Sequence, residues 1–207
     1  MKCIELFYLN IDNFLPFIDK TCLNNFVEKK DFKSDKKKYQ HAFGRFLTKF
    51  VAHKFGIQNP IIDIKNNKPY FINSELFFSI SHTNNIIAIA LWSNNIGLDI
   101  EYMKERDFSK YFERYKISSK GNDKISFYKF WTQYEAEIKL QKKIESFHTF
   151  QLLENYMCTI CTASEFDIKN NLNIQELVLK NGPNNELINL QTIITQKNLS
   201  PIKLIHR

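Results

Sequence analysis

Between residues 40 and 55 the apolar positions of QHAFGRFLTKFVAHKF follow a helical rhythm: Phe43, Phe46, Leu47, Phe50 and Val51 share one face and predict an amphipathic helix. His41, Arg45 and Lys49 fall on the opposite, polar side, and Gly56 is the expected C-terminal stop. The rhythm then shortens. PIIDIK, PYFI, LFFSISH, IIAIALW and IGLDIE read as strands, parted in places by Asn66-Asn67, Asn84-Asn85 and Ser93-Asn94-Asn95, and asparagine tolerates the left-handed backbone of tight turns. Loops of two or three residues between the last three runs predict an antiparallel meander, with strand 76–82 up, 86–92 down and 96–101 up. Such a meander brings Ser81 and His82 to the sheet edge where Asp99 and Glu101 also end.

A second helical pattern covers 127–143, with Phe127, Phe130, Trp131, Tyr134 and Ile138 as its apolar stripe. Glu135, Lys139 and Lys142 lie along one border of that stripe. Strand-like runs at 156–166, 174–179 and 187–194 follow. Both halves thus read as a helix and then strands, with a boundary expected near residue 103. Between them ERDFSKYFERYKISSKGNDK is polar, a connecting surface with Gly121-Asn122 as its turn signal.

Composition narrows the class. A chain of 207 residues with 43% hydrophobic and 14% aromatic content can bury a sizeable core, as one large domain or two small ones, and is not wholly disordered. The net charge of +7 is nearly all lysine and favours anionic partners such as phosphates, nucleic acid or an acidic protein. Basic residues are not interleaved with aromatics on one surface, which counts against nucleic acid. The run KKDFKSDKKK at 29–38 sets six lysines against two aspartates and reads as solvated surface. MKCIELFYLNID is too interrupted, by Glu5 and Asn10, for a signal peptide. No stretch is long enough to span a membrane. Four cysteines without a secretory signal suggest reduced thiols in a cytoplasm. Cys158 and Cys161 form a CTIC pair with no second pair at zinc-site spacing, so they are expected in the core.

Candidate chemistry starts at IGLDIE. Asp99 and Glu101 share one strand face while Leu98 and Ile100 take the other. Two carboxylates about 7 Å apart along a strand repel unless a cation lies between them, and Mg²⁺ takes oxygen ligands of this kind together with phosphates. Charges that merely deter edge-to-edge pairing are the competing reading. Glu135 and Lys139 are likewise either an exposed i,i+4 pair worth about 0.3–0.5 kcal/mol or part of a cleft.

Taken together these stretches resemble the 4′-phosphopantetheinyl transferase superfamily in its longer, surfactin-synthetase-activating type. Ile96-Gly97-Leu98-Asp99-Ile100-Glu101 is similar to its (I/V)-G-(I/V/L)-D-(I/V)-E strand. Trp131 to Lys139, WTQYEAEIK, is similar to its W-(S/T)-x-K-E-(A/S)-x-x-K helix. FSISHT at 78–83, NKPYF at 67–71 and GRFLTK at 44–49 match three upstream stretches in the family's order, so the likeness covers roughly residues 36–140. The resemblance implies an α/β (α+β) fold of two similar subdomains related by a pseudo-twofold axis, each a helix on a small, mainly antiparallel sheet. These would be 1–103, with the nucleotide contacts and the Asp-x-Glu strand, and 104–207, with the Glu/Lys helix and a carrier-facing segment. It implies Mg²⁺-dependent transfer of the 4′-phosphopantetheine arm of coenzyme A, bound in the cleft, to a serine of an acyl or peptidyl carrier protein, releasing 3′,5′-ADP. A monomer would suffice.

By the same resemblance Asp99, Glu101 and Glu135 surround Mg²⁺, Glu135 is a candidate general base, and Lys139 binds the pyrophosphate. Ser81 and His82 contact the nucleotide phosphates, Lys68 and Pro69 lie beside the nucleotide, and Arg45, Lys37 and Lys38 belong to the same coenzyme A contacts. Departures are equally specific. Tyr134 stands where the family usually has lysine, Asn67 replaces the glycine of G-K-P, and Gln40 replaces an arginine for which Lys36, Lys37 or Lys38 would have to substitute. A relative that binds coenzyme A or a carrier without turnover is the alternative that Tyr134 raises. A basic protein acting on nucleic acid is supported by charge alone.

Overall fold

The computed structural model describes residues 1–17, 32–116, 124–181 and 188–194. In chain order the elements are β1 (Ile4–Asn10), α1 (Asp35–Lys54), β2 (Ile62–Lys65), β3 (Lys68–Phe71), β4 (Phe77–Thr83), β5 (Ile86–Trp92) and β6 (Ile96–Tyr102). Then come α2 (Ser109–Tyr115), α3 (Lys124–Leu140), β7 (Ser146–Leu153), β8 (Tyr156–Thr162), β9 (Leu172–Asn181) and β10 (Ile188–Ile194). This is the expected mixed α+β architecture, with long helices packed on small sheets. The Gly121-Asn122 turn and residues 29–31 of the lysine run lie outside the described residues.

The strands form a five-stranded sheet in the order β10-β9-β1-β5-β4, a three-stranded sheet β6-β8-β7 and the separate hairpin β2-β3. The meander is therefore only half right. β4 and β5 pair antiparallel across a turn with Asn84 at φ 52°, but β6 does not continue the sheet. Its neighbour in sequence, β5, already has β1 on one edge and β4 on the other. β6 instead pairs antiparallel with β8, Asp99 opposite Thr159 and Glu101 opposite Met157. Beyond β8 the chain crosses back, and β9 runs parallel to β1. Sheet membership thus crosses residue 103 in both directions.

Alternation along the strands sets the layers. Phe7 and Leu9 of β1 and Ile87, Ile89 and Leu91 of β5 pack under α1 against Phe43, Leu47 and Val51. The opposite face presents Leu6, Ala88 and Ala90, which meet Leu98, Ile100, Cys158 and Ile160 of the small sheet. Cys158 and Cys161 are free, buried thiols, as the lone CTIC suggested. α3 covers the outer face of the small sheet, with Ala136 and Leu140 against Cys161. The order of layers is helix, sheet, sheet, helix.

α1 starts at Asp35, earlier than the apolar rhythm from residue 40 predicted, with the Ser34 hydroxyl accepting from the Lys37 N–H; it stops just before Gly56, at φ 80°, as the pattern predicted. The apolar stripe expected on α3 is displaced. Its buried positions are Phe127, Tyr128, Thr132, Ala136 and Leu140, while Tyr134 is 38% and Ile138 51% exposed. Close packing decides this. A Cβ on Gly97 would lie 2.1 Å from the Ala136 carbonyl oxygen, so α3 sits on β6 through its small residues. Tyr134 and Ile138 turn outward, Tyr134 ringed by Tyr115, Phe130 and Trp131.

Candidate active site

Phe78, Ile80 and His82 leave β4 on the α1 side; Ser79, Ser81 and Thr83 leave it on the side of β6. Ser81 and His82, adjacent in sequence, therefore serve two different places. On the α1 side is a cavity of about 550 Å³. Phe78 and Ile80 give it apolar lining, Ile62 and Pro69 of the hairpin close one wall, and α1 contributes Lys37 and Arg45 as cations. Gly44 lets the helix approach, since a Cβ there would meet Ile80 Cδ1 at 3.3 Å. His82 lines the same cavity; burial, then the charge of Lys139, with smaller contributions from His41 and Lys37, holds its pKa below the ordinary histidine value.

Four of the expected coenzyme A contacts, Lys37, Arg45, Pro69 and His82, thus line one cavity. Lys38 is half-buried one position further along α1 and does not line it. Lys68 points elsewhere. Its ammonium donates to Asn95 Oδ1 at 2.6 Å, the Ile96 carbonyl at 3.0 Å and the Leu140 carbonyl at 3.5 Å. Burial lowers its pKa to about 8. Those bonds tie the hairpin to the start of β6 and the end of α3, and Gln141 adds a bond to the Asn66 carbonyl.

On the β6 side the carboxylates gather. Lys139 Nζ lies 2.6 Å from Asp99 Oδ1 and 2.9 Å from Ser81 Oγ, and the Ser81 hydroxyl donates to the same Asp99 oxygen at 2.8 Å. Asp99 is 4% exposed, and its Oδ2 is buried without a hydrogen-bond partner. Burial holds this carboxyl above its ordinary range, although Lys139 and Ser81 oppose that. Glu101, half-buried, accepts from Thr83 Oγ1 at 3.1 Å; burial first, then the negative charges of Asp99 and Glu135, raise its pKa. Glu135 on α3 is therefore within electrostatic reach of the strand pair.

Among the described residues no three His, Cys, Asp or Glu side chains stand close enough together to form a ready metal site. The donor chemistry nevertheless suits a hard dication: Asp99 and Glu101 leave one face of β6, one buried Asp99 oxygen has no partner, and the cation now satisfying Asp99 is the tip of the Lys139 side chain. Lys142 is exposed and takes no part. Missed in the sequence was Thr83, which holds Glu101; Gln40, named only as the replacement of an arginine, lines the cavity and donates to the Asn84 carbonyl at 2.9 Å. The signal for Thr83 was present, as S-x-S-x-T at 79–83 mirrors G-x-D-x-E at 97–101.

No protein-family model matches the chain. A Haemophilus influenzae protein described as a "Putative 4′-phosphopantetheinyl transferase" is 27% identical over 107 residues, 46% of this chain and 46% of that protein. The chain thus spans less than half the length of the relative it matches. That distant likeness supports the phosphopantetheinyl transferase superfamily. No described helix is long and apolar enough to cross a membrane.

Proposed function

We propose that this protein transfers the 4′-phosphopantetheine arm of coenzyme A to a serine of an acyl or peptidyl carrier protein, in the manner of the longer members of that superfamily. The carrier serine oxygen attacks the β-phosphorus of the pyrophosphate. The bond from that phosphorus to the bridging oxygen breaks, 3′,5′-ADP leaves, and the serine proton passes to a base. The observation that carries the reading is Lys139 of α3 seated on Asp99 of β6, beside Glu101 and with Glu135 near enough to raise the Glu101 pKa, across strand β4 from a cavity supplied with Lys37 and Arg45.

In this reading the cavity takes the nucleotide, its base against Phe78 and Ile80 and its phosphates toward Lys37 and Arg45. Lys139 moves from Asp99 to the pyrophosphate and offsets charge as the leaving group departs. Glu135, half-buried and near Glu101, receives the serine proton. Asp99, Glu101 and Glu135 would hold Mg²⁺, which when bound supplies charge stabilisation to the pyrophosphate oxygens. Lys68 acts through position, holding the hairpin wall of the cavity to β6 and α3. A cytoplasmic, monomeric enzyme suits this chemistry, since coenzyme A and carrier proteins meet there.

The test is to mix the protein with apo carriers of the fatty-acid, polyketide and peptide classes, coenzyme A and Mg²⁺, and to weigh each carrier. A gain of one phosphopantetheine on at least one carrier is expected; no gain on any carrier sinks the proposal. A second reading, binding without turnover, is favoured by Tyr134, whose ring packs among three aromatics where a cation would otherwise serve the phosphates. It predicts a thermal shift with coenzyme A, no transfer, and turnover gained by Tyr134→Lys.

Arg45→Ala is expected to raise KM for coenzyme A about 10–100-fold, the worth of one charge-assisted hydrogen bond, with kcat within threefold. A fall in kcat at unchanged KM would place Arg45 outside the binding of the ground state.

A further inference from the structure

The seam between β4 and β6 is built from hydroxyl groups. Ser79, Ser81 and Thr83 accept hydrogen bonds from the backbone N–H groups of Leu98 (3.0 Å), Ile100 (3.3 Å) and Tyr102 (3.2 Å), at a constant offset of 19 residues. They stand where the carbonyls of a neighbouring strand would otherwise be. A hydroxyl that accepts still has one proton to give. That of Ser81 goes to Asp99 Oδ1 at 2.8 Å and that of Thr83 to Glu101 Oε2 at 3.1 Å. Ser79 faces Gly97, which has no side chain to receive one. The same unit, from N–H to hydroxyl to the preceding carboxylate, therefore occurs twice, at the two acids and in register.

Satisfying the β6 backbone needs only an acceptor, and Ser79 shows that this suffices for the seam. Spending the remaining proton on a carboxylate fixes that carboxylate's rotamer. We propose that Thr83 is a positioning residue: it orients Glu101 for a divalent cation, as Ser81 orients Asp99. The inference rests on the reading of these acids given above.

The test titrates the whole protein with Mn²⁺ and follows free Mn²⁺ by electron paramagnetic resonance. Thr83→Val keeps the shape and removes the hydroxyl; it is expected to weaken Mn²⁺ binding about tenfold, the usual effect of losing a group that holds a ligand. Thr83→Ser is expected to restore binding to within twofold. In a Glu101→Gln background, Thr83→Val is expected to add less than twofold, because its effect passes through that carboxylate. Should Thr83→Val not fold, Thr83→Cys, with a weak donor, gives the same comparison. A purely structural hydroxyl predicts a lower Tm with Mn²⁺ affinity unmoved, or effects of the two substitutions that multiply; either result overturns the proposal. If the unsubstituted protein binds no Mn²⁺, both this role and the metal reading fall. If it binds Mn²⁺ as described but modifies no carrier, only the transfer reading falls.

Discussion

Asp99→Asn is expected to cut carrier modification by about 10²–10³-fold, the loss typical when one preorganised electrostatic group is removed, and at the same time to raise the Tm of the metal-free protein. Both effects follow from one placement. Asp99 is 4% exposed, with one oxygen held by Lys139 and Ser81 and the other without a partner. Burial raises its pKa more than those partners lower it. For a carboxyl whose folded pKa exceeds its unfolded pKa, the native state binds more protons in the interval between them, so stability falls as pH rises through it. Above its folded pKa the native protein carries that cost, and the neutral amide removes it. The ion pair forfeited with Lys139 is a small loss, because Lys139 is itself 30% exposed and solvent screens it. Thermal unfolding in EDTA at pH 7 and again at acid pH checks the sign: the variant's advantage should shrink as Asp99 becomes protonated. A less stable variant at pH 7 would mean that the ion pair outweighs desolvation. The trade of stability for a charged, incompletely satisfied group is what a working site shows.

What was legible in the sequence was local. The period of two in IGLDIE put Leu98 and Ile100 into the core and Asp99 and Glu101 on the other face. The two-residue turn before β5 fixed the β4–β5 hairpin, and the motif stretches named Arg45, Pro69 and His82, which line one cavity together with Lys37 of the lysine run. The partner of β6 was not legible. It depended on β1, whose run IELFYLN carries no alternation because both its faces are covered, and which takes the edge of β5 that a meander would have used. Nor did the apolar count on α3 reveal its buried face, since Gly97 admits backbone there and leaves no room for Tyr134 or Ile138. Lys68 matched a nucleotide-contact motif, yet its ammonium is held by three oxygens at the ends of β6 and α3. A motif gives a residue's neighbourhood; the nearest unsatisfied acceptors decide where a flexible amine goes.

The same close contact yields the largest stability effect expected. In Gly97→Ala the new methyl would lie 2.1 Å from the Ala136 carbonyl oxygen, 2.8 Å from Cys161 Sγ and 3.0 Å from Leu140 Cβ. The first of these is helix backbone and cannot rotate away, so either α3 lifts from β6 or the two strands separate. Overpacking of this kind costs about 3 kcal/mol or more, which for a chain of this length lowers Tm by roughly 6–12 °C. Lifting α3 also displaces Glu135 and Lys139 from Asp99 and Glu101, and an error of about 1 Å in a reacting geometry is worth on the order of 10²-fold in rate. The cavity is lined by α1, the hairpin, β4 and the residues just before α1, and none of the three atoms nearest the added methyl belongs to them. Below its melting temperature the variant should therefore bind 3′,5′-ADP within about threefold of the unsubstituted protein while its transfer rate collapses. Unfolding curves, nucleotide titration and a carrier-mass time course on one preparation separate these effects. An unchanged Tm would show that α3 is not seated on Gly97, and a parallel loss of nucleotide affinity would show that the cavity and the carboxylates do not respond independently.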